Sequence, residues 1–360
     1  GTIRTKYGTK EEYRDAICAL HEVGIQAYGD IVLNHKMGAD ANEFVKAYEV
    51  NQNNKNEVTS GEETIEVPTV FTFPKRQQVY SDFTWNWTCF DGIDYDILSK
   101  RHATFLFKDK HWDTQVDGEN GNFDYLMGAD IDFSNPHVVA ELEDWAQWYL
   151  EVTGLDGFRL DVINLISKDE SQYYVDSTIK GHQVCANGPH IHEYIQEMNQ
   201  KVFSRKELLT VGETPAVTIE DAKKYAPLDN KELSMIFQFE LMNVDGAEVN
   251  KWTDQRFSLK DLKQIMSRWQ VGMYQQAWNS LFWNNHDQPR CVSRFGDTSS
   301  PLCHEKSAKM LAICLHMMQG TPYIYQGEEL GMTNVPFNSL DDYRDIETFN
   351  SYKQLVEIEK

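Results

Sequence analysis

The chain has 360 residues, 41% hydrophobic and 25% charged, which is the composition of an ordinary soluble globular protein with a large core. Its formal net charge of −22 disfavours nucleic acid and anionic membranes as partners, because phosphate binding needs a basic surface. No apolar run is long enough to predict a membrane span, and the polar residues 1–14 show no signal peptide. The acidity fits a neutral substrate, bound metal cations or simple solubility, and the location stays open between cytoplasmic and secreted.

The first elements in chain order are a helix and a strand. Thr9 and Glu12 form a predicted capping box, and an amphipathic helix follows to about His21, with Gly24 behind it. Helices and short apolar strands then alternate to the end, where a last helix is expected over about 339–359. The six predicted strands cover residues 26–34, 157–163, 208–213, 234–240, 280–286 and 321–326. Such alternation predicts an α/β fold with a parallel sheet covered on both faces.

The number of strands points to a (β/α)8 TIM barrel that is incomplete in this chain. An eight-stranded barrel needs two strands more than the six predicted, and the chain opens on a helix whose preceding strand is missing. We therefore expect strands 1 and 2 to lie upstream of residue 1. A stretch rich in Thr, Val, Phe and Trp interrupts the alternation after strand 3 and predicts a β-rich insertion. The expected domains are 1–35 (first part of the barrel), 36–122 (the insertion) and 123–360 (strands 4–8).

The cysteines predict neither a zinc site nor a disulfide framework, because no C-x-x-C pair occurs. Cys18 and Cys314 lie in apolar helical patterns and are expected to be core thiols. The cysteines are Cys18, Cys89, Cys185, Cys291, Cys303 and Cys314.

Polar side chains collect where four of the predicted strands end, which is where α/β barrels carry their chemistry. These residues are His35, Arg159, Asp161, Glu213, His286 and Asp287. Glycoside cleavage needs two carboxyl groups, and Asp161 and Glu213 follow neighbouring strands. Arg159, two residues before Asp161, shares its strand face and would keep that carboxylate ionised. A buried ion pair at a strand end is the alternative for any single member of this set.

The segments that carry these residues are 30–35, 157–161, 211–213 and 284–287. They resemble the four signature regions of the α-amylase family, glycoside hydrolase family 13. The resemblance implies a (β/α)8 barrel and hydrolysis with retention of configuration. It implies Asp161 as nucleophile, Glu213 as general acid/base and Asp287 as transition-state stabiliser. By the same resemblance, His35, Arg159 and His286 line the first sugar subsite.

The resemblance changes along the chain. Residues up to about 156, including 90–96 and 119–132, are similar to bacterial liquefying α-amylases. Residues from about 157 to 350, including 187–192, 284–290 and 321–329, are similar to oligo-1,6-glucosidases and trehalose-6-phosphate hydrolases. In the glucosidase group a valine after the nucleophile accompanies α-1,6 cleavage, so Val162 resembles a substrate-binding residue of that preference. A β-branched residue that fills the barrel core is the plainer interpretation.

The amylase-like part resembles a calcium-binding region. By resemblance, one Ca²⁺ is held by Asn34, Asp124 and Asp130, with a main-chain carbonyl at the position of Leu165. Asp91, Asp113 and Asp132 would add a further cation site. Hard cations prefer such oxygen ligands, but a solvated acidic face is the usual fate of surface aspartates. Trp85, Trp87 and Trp112 are candidates to stack on sugars, or else form the core of the insertion.

The predicted function is that of a retaining glycoside hydrolase that cleaves α-1,4 or α-1,6 glucosidic bonds in starch-derived oligosaccharides through a glucosyl-enzyme. The expected partner is a small or polymeric α-glucan, with no nucleic acid and no membrane. Two alternatives remain at this point. One is a catalytically silent or truncated carbohydrate-binding barrel, and the other is a trehalose-6-phosphate hydrolase.

Overall fold

A computed structural model describes residues 5–36, 38–51, 54–72, 83–94, 103–110, 128–167, 186–229, 231–245, 257–345, 348–349, 352–353 and 356. Cys185, Trp112, Asp113 and Asp124 lie outside these residues, as do nine residues of the helix predicted for about 339–359. The chain divides into two compact units. Unit 1 comprises 1–217 and 224–234, and unit 2 comprises 218–223 and 235–360.

The strands are β1 Tyr28–Val32, β2 His35–Lys36, β3 Ala41–Asn51, β4 Asn54–Val58, β5 Glu63–Val70, β6 Phe90–Asp94, β7 Thr104–Phe107, β8 Ala129–Ile131, β9 Gly157–Asp161, β10 Leu209–Glu213, β11 Met235–Phe237, β12 Ser280–Leu281 and β13 Thr321–Pro322. The α-helices are α1 Lys10–Glu22, α2 Pro136–Trp148, α3 Ile191–Lys201, α4 Ile219–Tyr225, α5 Leu259–Met273, α6 Cys291–Phe295 and α7 Pro301–His316. None of the described helices is long and apolar enough to cross a membrane.

The first helix is as predicted from its capping residues. The Thr9 hydroxyl accepts a hydrogen bond from the Glu12 amide, and the Glu12 side chain accepts one from the Thr9 amide, so the capping box is complete. Among the described residues of α1 only Ile17 is buried. The prediction that Cys18 is a core thiol is wrong, because its side chain lies on the exposed part of this helix. Cys314 on α7 is partly buried.

Unit 1 contains the parallel sheet that positions the candidate site. Strands β1 and β10 flank β9 on its two sides, and all three run parallel. The register places Val32 beside Asp161 and Gly212 beside Leu160, so the three strands end at one edge. Gly157 allows β9 and β10 to approach, because a β-carbon there would lie 1.8 Å from the Leu209 carbonyl oxygen.

The insertion in unit 1 is an antiparallel sheet in the order β2-β8-β6-β7-β3-β4, with β5 paired to β3. At one end of this sheet β2, which begins at His35, pairs with β8, and β8 pairs with β6. Trp85 is fully buried, and its ring lies 5.4 Å from that of Trp145 on α2. Of the two interpretations of Trp85, the structure supports a core residue of the insertion. The Lys36 ammonium lies over the rings of Trp145 (4.2 Å) and Trp85 (5.0 Å).

Unit 2 contains β11, β12 and β13, with β12 parallel to β13 and a parallel bridge between Ile236 and Asn279. The strands predicted for 234–240, 280–286 and 321–326 occur but are only two or three residues long. Helix α7 begins at Pro301, because the Ser300 hydroxyl caps it and Pro301 occupies its first turn. Buried Met242, Trp283 and Leu315 belong to the core of this unit.

Candidate active site

Arg159 on β9 binds three carboxylates at the edge where the parallel strands end. Its Nη1 donates to Asp161 on the same strand and to Asp30 Oδ1 of β1 at 3.0 Å. Its Nη2 donates to Glu213 Oε2 at the end of β10, at 2.7 Å. The structure therefore brings together Arg159, Asp161 and Glu213, as the strand order predicts. Asp30 faces Arg159 because the two residues are paired in the β1–β9 register.

Glu213 lies in the part of this cluster that is most shielded from water. Only 7% of the residue is exposed, and this burial raises the pKa of its carboxyl to about 7. Arg159 opposes that rise in pKa, whereas the neighbouring carboxylate of Asp161 adds to it. Burial works to lower the pKa of the Arg159 guanidinium, but Glu213, Asp30 and Asp161 together raise it above its ordinary value. One site therefore holds a permanent cation, an ion-paired carboxylate and a carboxyl that retains its proton up to neutral pH.

Val162 follows Asp161 and has a left-handed backbone, with φ 35° and ψ 42°. Its amide donates a hydrogen bond to Glu213 Oε2 at 3.0 Å. The contact that the structure shows from Val162 to the acidic cluster is thus made by the main chain. A substrate contact by its side chain stays a prediction.

His286 and Asp287 belong to unit 2, where they follow β12 by a few residues. His286 Nε2 lies 3.3 Å from Asp287 Oδ2, and both side chains are more than half exposed. The Asp287 amide donates to Asn285 Oδ1 at 2.9 Å, which fixes the turn. The buried Arg294 donates to the next residue, Gln288, at 2.7 Å. These hydrogen bonds hold the loop that carries the pair, and the role of His286 and Asp287 in substrate binding stays a prediction.

Four of the predicted metal ligands lie close in the β2, β6 and β8 region of the insertion sheet. Asn34, Asp91, Asp130 and Asp132 are all buried. His35 pairs with Asp130 across β2 and β8, and the Ile131 amide donates to the Asn34 carbonyl at 3.0 Å. The predicted sugar-binding His35 thus stands beside the predicted ion ligands.

Asp132 already has a cationic partner in the protein. Lys110 Nζ donates to Asp132 Oδ2 and to the Thr88 carbonyl, both at 2.8 Å. Burial works to raise the pKa of Asp132, but Lys110 and Ser134 donate to the carboxylate and hold its pKa below the ordinary value. Leu165 lies in the short helix Ile163–Leu165. Among the described residues, no three His, Cys, Asp or Glu side chains are arranged to hold a metal ion.

Sequence reasoning missed two charged residues, one beside Arg159 and one beside Asp132. Asp30 and Lys110 both make ion pairs with predicted site residues. Asp30 is two residues before Val32 in a strand, so period-2 alternation places it on the same face as Val32 and Asn34. That spacing was the available signal for Asp30. Lys110 carried none, because its partner lies 22 residues further along the chain.

The whole chain matches a known family. The catalytic domain of alpha amylase matches residues 1–357. The oligo-1,6-glucosidase of Bacillus cereus is 39% identical over 360 residues, which cover 98% of this chain and 58% of that protein. The trehalose-6-phosphate hydrolase of Bacillus subtilis (strain 168) is 37% identical, with 99% of this chain and 58% of that protein covered.

A solved structure agrees with these similarities. The crystal structure of Bacillus licheniformis trehalose-6-phosphate hydrolase aligns with 99% of this chain and 58% of its own, at 34% identity and a TM-score of 0.70. The chain therefore belongs to the alpha-amylase family and has the α/β fold of that family's TIM-barrel catalytic domain. It spans somewhat more than half the length of these relatives.

Proposed function

We propose that this protein is a retaining glycosidase that hydrolyses α-glucosidic bonds in oligosaccharides. The observation that carries the proposal is the pair of carboxyl groups joined by Arg159. Asp161 is ion-paired, whereas burial keeps the proton of Glu213 available up to a pH of about 7. A retaining glycosidase needs two neighbouring carboxyl groups, one of which keeps its proton and serves as the general acid.

The reaction follows from these two groups. Glu213 donates its proton to the glycosidic oxygen as the bond to the anomeric carbon breaks. The Asp161 carboxylate attacks that carbon and forms a glucosyl-enzyme, while Arg159 orients the attacking carboxylate. Glu213, now ionised, takes a proton from water while the water oxygen attacks the anomeric carbon. The bond from that carbon to Asp161 breaks, the Asp161 carboxylate is restored, and glucose leaves with its configuration retained. By family resemblance, Asp287 and the histidines His35 and His286 would bind the ring and its developing charge.

The substrate class is proposed from the relatives. Oligo-1,6-glucosidases of Bacillus cereus and Parageobacillus thermoglucosidasius are 39% and 38% identical to this chain. We therefore propose short α-1,6-linked glucosides as substrates. A trehalose-6-phosphate hydrolase is the second candidate, because the enzyme of that name from Escherichia coli (strain K12) is 47% identical over 227 residues. The net charge of −22 favours the neutral substrate.

A substrate panel with a nucleophile variant tests the function. Initial rates are measured on isomaltose, maltotriose, starch and trehalose 6-phosphate, and the first anomer released from isomaltose is identified by NMR. We expect isomaltose cleavage with α-glucose released first, and a loss of at least about a thousandfold in Asp161→Asn. Asp144→Asn on the exposed face of α2 is the matched control. Folded wild type that hydrolyses none of the four substrates supports the silent barrel and contradicts the proposal.

Calcium is proposed as a structural ion beside His35. Asn34 and Asp130 are hard oxygen donors, and a buried carboxylate such as Asp130 needs a cation or hydrogen bonds. Asp91 and the predicted ligands Asp113, Asp124 and Leu165 stay in this proposal. Lys110 already binds the Asp132 carboxylate, so we propose that the ion lies beside Asn34 and Asp130.

Thermal unfolding with calcium or with a chelator tests the calcium proposal. We expect a calcium-dependent rise in the unfolding midpoint that Asp130→Asn abolishes, and an equal midpoint in both buffers would refute it.

A further inference from the structure

The backbone at Val162 is unusual for its residue type. Its φ of 35° lies in the left-handed region, where a β-branched residue is a genuine outlier. The residue stands between the end of β9 and the short helix Ile163–Leu165. Strained residues of this kind persist only where the surroundings hold them, and they cluster at functional sites.

The turn at Val162 gives its amide a specific partner. The Val162 carbonyl accepts the Leu165 amide at 2.9 Å, which closes the turn, while the Val162 amide donates to Glu213 Oε2 at 3.0 Å. Val162 and Glu213 are 51 residues apart. The left-handed turn ends β9 directly after Asp161 and leaves the amide facing the end of β10.

Glu213 Oε2 therefore receives two donors. Arg159 Nη2 lies at 2.7 Å and the Val162 amide at 3.0 Å from the same oxygen. A protonated carboxyl carries its hydrogen on one of its two oxygens. The oxygen that already accepts two hydrogen bonds is the less favourable position for that hydrogen. The proton is thereby directed to Oε1.

We propose that Val162 is a positioning residue whose strained main-chain amide, with Arg159, directs the catalytic proton of Glu213 to Oε1. The proposal rests on the proposed function of Glu213 as general acid. The leaving oxygen must then approach from the Oε1 side. A proton free to move between both oxygens would spend part of its time where it cannot reach the leaving group.

The test replaces the Val162 amide by an ester, with the α-hydroxy analogue of valine introduced by nonsense suppression. This change removes the N–H and keeps the side chain. Among the described residues of unit 1, the charged and titratable groups that face Glu213 are Arg159 and Asp161, and Asp30 pairs with Arg159. They are unchanged, so a change in the titration of Glu213 reports the lost N–H. The titration is followed by NMR with 13C-labelled glutamate, and Glu213→Gln assigns the resonance.

We expect the titration midpoint of Glu213 to rise by roughly half to one pH unit in the ester protein, because a donor to the charged form is lost. We also expect kcat to fall about tenfold with little change in KM, since the proton is no longer confined to Oε1. Valine introduced by the same suppression is the matched control. Val162→Gly keeps the N–H and adopts the left-handed turn without strain, so its Glu213 midpoint should match the wild type.

An ester protein whose Glu213 titrates as in the wild type overturns the proposal. So does a Val162→Gly protein with the same rise as the ester, because the side chain would then be responsible. The NMR measurement needs no substrate. If the wild type proves inactive on every glucoside, the proposed function fails, while the titration still decides whether the amide acts on Glu213.

Discussion

Glu213 shows how its surroundings change the acidity of one carboxyl group. Burial raises the pKa of this carboxyl to about 7, against the pull of Arg159. A raised pKa means that the proton stays bound up to neutral pH, whereas an exposed glutamate would have lost it near pH 4. Glu213 thus still holds its proton in part at neutral pH.

The first prediction concerns pH. We expect kcat/KM to fall as pH rises through about 7, because the unprotonated Glu213 cannot donate to the leaving group. The measurement is the pH profile of kcat/KM on isomaltose. In Glu213→Gln the basic limb should disappear together with most of the activity, and aryl glucosides with good leaving groups should retain more. A basic limb that persists in Glu213→Gln would assign it to another group.

The second prediction concerns Asp30. Its carboxylate accepts from Arg159 Nη1 at 3.0 and 3.2 Å and is about half exposed. Asp30→Asn should lower kcat/KM about tenfold, because Arg159 loses one of the contacts that aim it at Asp161. Stability should change by no more than about 1 kcal/mol, since the ion pair is largely solvated. Asp15→Asn on the exposed side of α1 serves as control, and unchanged kcat/KM in Asp30→Asn would show that Arg159 is held without it.

For single residues, the sequence predicted which side chains form the cluster better than it predicted the backbone conformation. The spacing of Arg159 and Asp161 on one strand was enough to place both on one face, and the structure joins them to Glu213. The left-handed turn at Val162 could not be predicted, because valine disfavours it and the contact of its amide with Glu213 spans 51 residues. Asp132 was assigned to a metal, but its partner Lys110 carried no local signal.

Single elements are held by a few buried charges as well as by the core. The third prediction is that Lys110→Met destabilises the insertion sheet of unit 1 by about 3 kcal/mol, because it leaves the carboxylate of Asp132 buried without its ammonium partner. Lys46→Met is the matched control, since Lys46 pairs with Glu62 at an exposed position and should cost less than about 1 kcal/mol.

Urea unfolding followed by circular dichroism measures both lysine variants. The loss in Lys110→Met should shrink at acidic pH. The pKa of Asp132 is lowered in the folded protein, so its contribution is present above the unfolded pKa and is lost as pH falls through the folded pKa. Equal losses in the two variants would show that burial of the Lys110 pair adds nothing.

The starts of elements were predicted more accurately than the ends of strands. Thr9 and Glu12 marked the beginning of α1 correctly, because capping is a local interaction. The strands of unit 2 proved short, since apolar residues such as Phe282 and Trp283 are buried there without being paired in a ladder. The predicted strands were too long because an apolar run indicates burial but does not show where strand pairing ends.

For the whole molecule, charge and family membership are the features that sequence reveals most directly. The family was predicted from four motifs, and the match over residues 1–357 confirms it. The change of resemblance near residue 156, the domain bounds and the two strands expected upstream stay predictions. Calcium and the linkage cleaved also stay predictions, because neither an ion nor a substrate contact follows from motif spacing alone.

The fourth prediction concerns the net charge of −22. We expect the thermal unfolding midpoint to rise by roughly 2–5 °C between 10 and 300 mM sodium chloride, because salt screens the repulsion among excess carboxylates. Differential scanning calorimetry measures it, and potassium chloride is the control for a sodium-specific effect. A midpoint that falls with salt would mean that attractive ion pairs outweigh the repulsion.

Two adjacent tryptophans of unit 1 give this protein an optical signal of its own. Trp85 of the insertion and Trp145 of α2 have ring centroids 5.4 Å apart and planes inclined by 38°. Two indoles so close and not parallel couple their electronic transitions and produce a paired positive and negative band in circular dichroism. The couplet exists only while the insertion is packed on α2. The loss of this band pair during unfolding would therefore show when the insertion sheet separates from α2, without any added dye.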